Sequence, residues 1–269
     1  MILGVSAYAW AVRSMQASAV LLPPVLCMVN APFGKFGIPT SWNVNGNVGW
    51  MIMELVAPLT AVVCAARGPV HTAASTCMLG LFVVHYINRA IIQPWLNPPR
   101  TPLHGSVVVS AILFNLMNGF MQGVWLTRGG SVPKGRMAPI VGVGVWACGS
   151  VGNIWHDALL RRLRRTSPAP DETVIRTSSS LYRIPQGGAF AWISYPHYVC
   201  EWLEWAGWAF ACVQWVPHIQ EAWYMYPPIL FVLVEIAVMA PRAWRGHEWY
   251  RQRFGHTYPA RWALVPGLW

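Results

Sequence analysis

The sequence predicts an all-α, polytopic membrane protein of about seven transmembrane helices, with a cytosolic loop and a C-terminal interfacial helix. Three observations carry that expectation. Of 269 residues, 55% are hydrophobic and only 10% charged, against about 25% charged in a soluble domain. The mean hydropathy is +0.38. Seventeen tryptophans and nine tyrosines suit a chain with many crossings of the membrane–water interface, where both residues concentrate.

Apolar runs of spanning length fall between polar breakers near 10–31, 48–66, 72–94, 105–126, 137–158, 189–213 and 218–240. The N-terminus lacks a basic region followed by a cleavage site, so the first run reads as a retained membrane segment. Pro217, Pro227 and Pro228 crowd the last two runs, which leaves an even count open. One set of connections carries Lys35, Arg100, the run Arg161, Arg162, Arg164, Arg165, and the tail from Arg242 to Arg261. The other carries Arg67, Arg128, Lys134 and Arg136. The positive-inside rule assigns the richer set to the cytosol, with the N-terminus outside or luminal. The segment RRTSPAPDETVIRTSSS reads as a polar cytosolic loop, and the tail PRAWRGHEWYRQRFGHTYPARWALVPGLW as a basic, aromatic interfacial helix.

Several function classes drop out. The net charge of +10 lies mostly in the short connections between spans, which argues topology rather than nucleic acid. The six cysteines lie in apolar runs without a CxxC pair, and the eight histidines lack metal-ligand spacing. No Walker loop or Rossmann glycine fingerprint is present, so a nucleotide would have to bind without either fold. No inverted repeat suggests a transporter.

What remains is polar chemistry inside apolar runs. An ionisable side chain at mid-bilayer costs about 2.5–3.5 kcal/mol on insertion scales, so it usually faces a partner or a cavity. GWMIMELVAPL carries Glu54; LFVVHYINRAII carries His85, Tyr86, Asn88 and Arg89; FNLMNGFMQG carries Asn115, Asn118 and Gln122. GNIWHDALLRRLRR carries Asn153 and Asp157 four apart on one helical face, which Leu160 and Arg164 continue. His197 and Glu201 share a face likewise, with Glu204 and Trp205 one turn on. The stripes suit a polar cavity within a bundle. Glu54 with Arg89 also reads as a structural ion pair, and Asn118 with Gln122 as interhelical hydrogen-bond glue.

The stretch YRIPQGGAFAWISYPHYVCEWLEW, residues 182–205, resembles the signature of the membrane steroid 5α-reductase family. HYINRAIIQPWL, NLMNGFMQG, NIWHDALLRRLR and HEWYRQRFGHTYPARWALVP resemble further family segments in order and spacing. The likeness covers about residues 48–269. The C-terminal half alone would also admit very-long-chain enoyl-CoA reductases and sterol reductases.

The resemblance implies a single membrane reductase domain, with residues 1–136 forming mainly the substrate pocket and 137–269 holding NADPH. It implies NADPH-dependent reduction of a conjugated C=C bond in a lipid enone, foremost a 3-oxo-Δ4-steroid to its 5α-dihydro product. A 2-enoyl-CoA or polyprenol-type substrate on the same fold is the alternative, and a non-enzymatic lipid-binding or transport protein the more distant one. Glu54 and Tyr86 resemble the catalytic pair on the substrate carbonyl. Asn153, Asp157 and Arg164 match ribose and phosphate contacts, and Tyr182 and Arg183 match loop contacts. His197 and Glu201 match the nicotinamide end, with the Gly187–Gly188 bend letting backbone approach the cofactor. Arg242, His247 and Tyr250 match the closing tail. Three positions depart: His197 stands where some members carry Asn, Gly246 where some carry His, and no Gln precedes Glu54. The expected partners are a lipid enone and membrane lipid, with no metal and no nucleic acid, for a monomer. The expected location is the endoplasmic reticulum membrane of a eukaryote or the inner membrane of a bacterium, with the C-terminus cytosolic.

Overall fold

The computed structural model describes residues 2–131, 137–177 and 180–267. Its long helices are α1 (Ile2–Met28), α2 (Gly46–Ala66), α3 (Ala73–Tyr86), α5 (Gly105–Thr127), α6 (Ala138–Arg165), α7 (Pro196–Trp215) and α8 (Pro227–Phe254), with a short α4 (Gln93–Leu96). Among the described residues six helical segments are long and apolar enough to cross a membrane. The seventh long helix is α7, in which Glu201, Glu204 and four tryptophans offset the apolar residues. The all-α membrane fold therefore stands. Lys134, Arg136, Ser178 and Ser179, cited above for topology and the polar loop, lie outside the described residues.

Local chemistry sets the helix ends. Asn45 caps α2 by accepting from the N–H groups of Asn47 and Val48, and Thr72 with Ser75 forms a capping box on α3. Proline opens α7 and α8, where the missing N–H has no intrahelical partner to lose. Between α3 and α4 the chain widens into a π-helix, Ile87–Ile92. Pro94 follows directly; it has no N–H for the Ala90 carbonyl and its ring crowds that oxygen. A widened turn relieves the crowding, and π turns recur at functional sites.

Helix pairs approach through small residues. On α5, a Cβ at Gly119 would meet the Ala57 carbonyl oxygen at 2.3 Å, and one at Gly123 the Ala61 oxygen at 2.4 Å. The α6–α7 seam is built the same way, with Gly149 against Glu204 and Gly207 against Trp146. Without a hydrophobic drive between helices in lipid, such close packing does the holding. The aromatic core joins Phe82, Tyr86, Trp205, Trp208 and Phe231.

The connections differ from the sequence expectation in two ways. The polar loop after α6 folds into a two-stranded hairpin, β3 (Ile175–Arg176) with β4 (Leu181–Tyr182); an antiparallel pairing of β1 (Asn43–Val44) with β2 (Leu103–His104) ties two earlier connections. Among the described residues the tail's helix is continuous with the last span rather than separate from it. α8 runs unbroken past Pro241 to Phe254, and the remaining tail returns to bridge Ile193 through Trp262. Arg245 helps hold the extension, donating from Nε to Asn30 Oδ1 at 2.6 Å.

Candidate active site

One end of the bundle gathers Lys35, Arg100, the end of α6 and the end of α8 around a cavity of about 480 Å³. Six cations line it: Lys35, Arg89, Arg100, Arg164, Arg183 and Arg242. Asp157 is the one carboxylate among the lining residues. The excess positive charge shows in the acidities of the connections. Burial, then Arg242 and Arg164, hold the Lys35 amine well below its usual range. Burial, then Arg89 and Arg164, bring Arg100 down to about 10. Arg164 makes no hydrogen bond or ion pair with any described residue, and the buried Arg100 Nε has no acceptor.

Aromatic rings complete the walls. Lys35 Nζ donates to Tyr195 Oη at 2.8 Å and lies 4.1 Å above the Tyr250 ring. Arg242 lies 3.4 Å above the Phe33 ring, and Arg100 4.5 Å above Trp50. The Tyr195 pocket exists because residue 246 is glycine. A Cβ there would fall 1.7 Å from Tyr195 Oη.

Arg89, carried on the π-helix, joins this cavity to a polar layer deeper in the bundle. Its guanidinium meets Glu201 at 3.4 Å, Glu54 at 3.7 Å and Asp157 at 4.0 Å. Asn153 donates to the His197 carbonyl at 2.9 Å and to Glu201 Oε2 at 3.4 Å, locking α6 to α7. One turn further in, His85 Nδ1 pairs with Glu204 at 2.8 Å, and Ser150 donates to the same carboxylate. Tyr86 Oη accepts from Asn118 Nδ2 at 3.4 Å. Gln122 in turn donates to Asn118 Oδ1 at 3.1 Å and to the Pro227 carbonyl at 3.0 Å. Because Asn118 donates into the phenol oxygen, the Tyr86 proton is left for another acceptor.

The comparisons with known proteins bear on this arrangement directly. The family model for 3-oxo-5-alpha-steroid 4-dehydrogenase matches residues 101–269. An uncharacterized protein of Schizosaccharomyces pombe is 37% identical over 274 residues, covering 91% of this chain and 93% of that protein. The chain belongs to the 3-oxo-5-alpha-steroid 4-dehydrogenase family. Steroid 5-alpha-reductase of Solanum lycopersicum is 26% identical over 91% of this chain and 90% of its own length. Human 3-oxo-5-alpha-steroid 4-dehydrogenase 1 is 27% identical over 95% and 96%. The family is one of membrane oxidoreductases of steroid metabolism, and its members support, at family level, reduction of an enone of steroid type.

Of the residues singled out from the sequence, Asp157, Arg164, Tyr182, Arg183, His197, Arg242 and Tyr250 line the cavity. Glu54, Tyr86, Asn153 and Glu201 belong to the deeper polar layer. Glu54 pairs with Arg89, as the ion-pair reading had it, and Tyr86 Oη bonds Asn118. Three details differ from expectation. Arg183 spends its donors inside the protein: Nε and Nη2 on Glu172 at 2.6 and 2.5 Å, Nη1 on the carbonyls of Leu163 and Thr166. His247 is turned from the cavity and bonds Ser194 Oγ at 2.7 Å, while its helix neighbour Gly246 faces Tyr195 and Lys35. The Gly187–Gly188 bend, at φ 89° and 54°, packs on α6. A Cβ at 188 would meet His156 Nε2 and Trp155 at 2.9 Å, and the Ala189 N–H donates to His156 Nε2.

Sequence reasoning missed Lys35, Arg100, Trp50, Tyr195 and Tyr198 as wall residues. Sequence could not single out Lys35 and Arg100, since a basic residue in a short connection looks the same whether it faces headgroups or a ligand.

Proposed function

We propose that this protein uses NADPH to reduce the conjugated double bond of a lipid enone, foremost a 3-oxo-Δ4-steroid to its 5α-dihydro product. The observation that carries the reading is a cation-rich cavity joined through Arg89 to a buried Glu54–Tyr86–Glu201 layer, in a chain of this family.

The cavity suits a phosphate-rich dinucleotide on its own chemistry. The unpaired Arg164 guanidinium, the orphaned Arg100 Nε, Lys35 and Arg242 would hold phosphates. Asp157 would accept from ribose hydroxyls, and Tyr182 and Tyr250 would flank a ring. The buried His197 Nδ1 has no partner among the described residues and would meet the carboxamide. When bound, the cofactor supplies the hydride.

The protein's own part is to stabilise charge on the substrate oxygen. An enone accepts hydride at its β-carbon only as its carbonyl oxygen becomes negative, so a donor fixed on that oxygen lowers the barrier. Tyr86 is suited to this: Asn118 occupies its oxygen as a donor and leaves the O–H free. Arg89 holds Glu54 and Glu201 within electrostatic reach of Tyr86.

Membranes containing the protein, given NADPH and a panel of steroid enones and 2-enoyl thioesters, should yield the 5α-dihydro steroid by mass spectrometry. Tyr86→Phe should lower turnover by about 10²–10³, the usual loss for one oxyanion donor, while leaving NADPH affinity intact. Near-normal turnover in the purified variant would remove Tyr86 from the chemistry. Product from thioesters alone would move the substrate class.

A further inference from the structure

Glu235 lies on α8 within the apolar run LFVLVEIAVMA. Its place follows from the packing. Trp205 of α7 and Phe231 of α8 meet edge to face with ring centres 4.9 Å apart. Both helices reach the cationic cavity, α7 at its start and α8 near its end, so they run antiparallel. Four residues back along α7 and four on along α8 therefore bring Glu201 and Glu235 into the next layer toward the cavity. On α8 the same stripe continues to Met239, which is buried, and to Arg242, which lines the cavity. Glu235 thus faces the bundle interior. It stands within electrostatic reach of Glu54 on α2, Tyr86 on α3, Arg89 on the π-helix and Glu201 on α7.

Every other carboxylate of that interior has a partner. Glu54, Glu201 and Asp157 share Arg89, and Glu204 has His85 and Ser150. Glu235 makes no hydrogen bond or ion pair with any described residue. One guanidinium already serves three carboxylates, and a further unpaired charge inside a membrane is costly. That charge count keeps Glu235 as the uncharged acid, an O–H donor with no acceptor among the described residues. Glu235 is half-buried rather than sealed, and it stands close enough to Tyr86 for the two groups to feel each other's charge.

We infer that Glu235 is a substrate-contacting acid whose O–H donates to the enone oxygen together with Tyr86. This rests on the enone-reductase reading and extends it: two neutral donors, one from α3 and one from α8, bracket the oxygen that gains charge. A neutral acid suits that task, since it stabilises the developing anion without repelling it.

The test uses the purified full chain in lipid nanodiscs. Infrared difference spectra on adding a 3-oxo-Δ4-steroid, without cofactor, should show a protonated-carboxyl C=O band moving to lower frequency. The band should vanish in E235Q and E235L and persist in E54Q. Turnover should fall about 10²-fold in E235L and only about tenfold in E235Q, whose amide still donates. E235L should melt no lower than wild type, since it removes a polar group with no partner. A carboxyl band unmoved by the steroid, or E235L turning over at the wild-type rate, overturns the inference while leaving the reductase reading standing. A wild type that reduces no enone overturns both.

Discussion

Arg164 and Arg183 stand on one cavity wall and differ in what already holds them. Arg164, exposed at the end of α6, has no partner among the described residues. Arg183 grips Glu172 with two nitrogens and caps the last carbonyls of α6 with a third. The pair leaves its mark on both groups: hydrogen bonds from Arg183 hold the Glu172 carboxyl below its usual range, and Glu172 raises Arg183. Arg164→Ala should therefore weaken NADPH binding by about 10–100-fold, the worth of a charge-assisted hydrogen bond, with an unchanged melting temperature. Arg183→Ala should release the β3–β4 hairpin, seen as a lower melting temperature and faster proteolytic nicking between residues 166 and 182. Nucleotide fluorescence titration and melting curves on both variants decide it. If Arg183→Ala melts normally and binds NADPH as poorly as Arg164→Ala, Arg183 is a ligand and the latch is incidental. Sequence alone could mark both residues, because their motifs are specific, but not divide their roles. That division depends on Glu172, eleven residues away in a loop of low pattern content.

At the scale of elements, the spans were legible and their seams were not. Apolar length set α2 and α5 to within about two residues of the expected ranges. α6 and α8 ran seven and fourteen residues beyond theirs, to Arg165 and Phe254. Hydropathy ends a span where the charges begin, whereas backbone hydrogen bonds let the helix continue into them. The π turn that presents Arg89 was equally hidden, since Pro94 announces a break without saying that the turn before it widens. Glycines on one helix show how seams can be tested. A Cβ at Gly149 would fall 2.3 Å from the Glu204 nitrogen, whereas one at Gly144 would meet nothing within 4 Å. Gly149→Ala should push α6 from α7 and cost about 1–3 kcal/mol. Gly144→Ala should be neutral or slightly stabilising, as Ala is the better helix former by up to about 1 kcal/mol. Melting curves in one detergent compare the two directly. Equal melting temperatures would mean that the α6–α7 seam is looser than described.

Over the whole molecule, charge and chemistry point to the same end of the bundle. Lys35, Arg100, Arg164 and Arg242, drawn from four separate parts of the chain, line one cavity. At the other end Arg128 is tied to Glu221 at 3.8 Å and covers the Tyr8 ring at 4.7 Å. Among the described residues the end of α1 and the end of α8 both lie near this cavity, with Arg245 of α8 bonded to Asn30 just after α1. The arginines that orient the chain are in part the ones that would hold the nucleotide, and a pyridine nucleotide from the cytosol can reach them only if that end faces the cytosol. The cavity draws on residues from both sides of position 136, and Arg89 pairs across that division with Asp157 and Glu201. Topology thus becomes a test of function. In sealed microsomes or inverted bacterial vesicles, a tag placed after the last residue should be cleaved by protease added to the cytosolic face. Under the same conditions a tag before the first residue should survive until detergent is added. Membranes sealed in that orientation should also reduce the enone with NADPH supplied outside them. Protection of the C-terminal tag, with the N-terminal one cleaved, would turn the cationic cavity away from the cytosolic nucleotide pool and remove the basis for assigning NADPH to it.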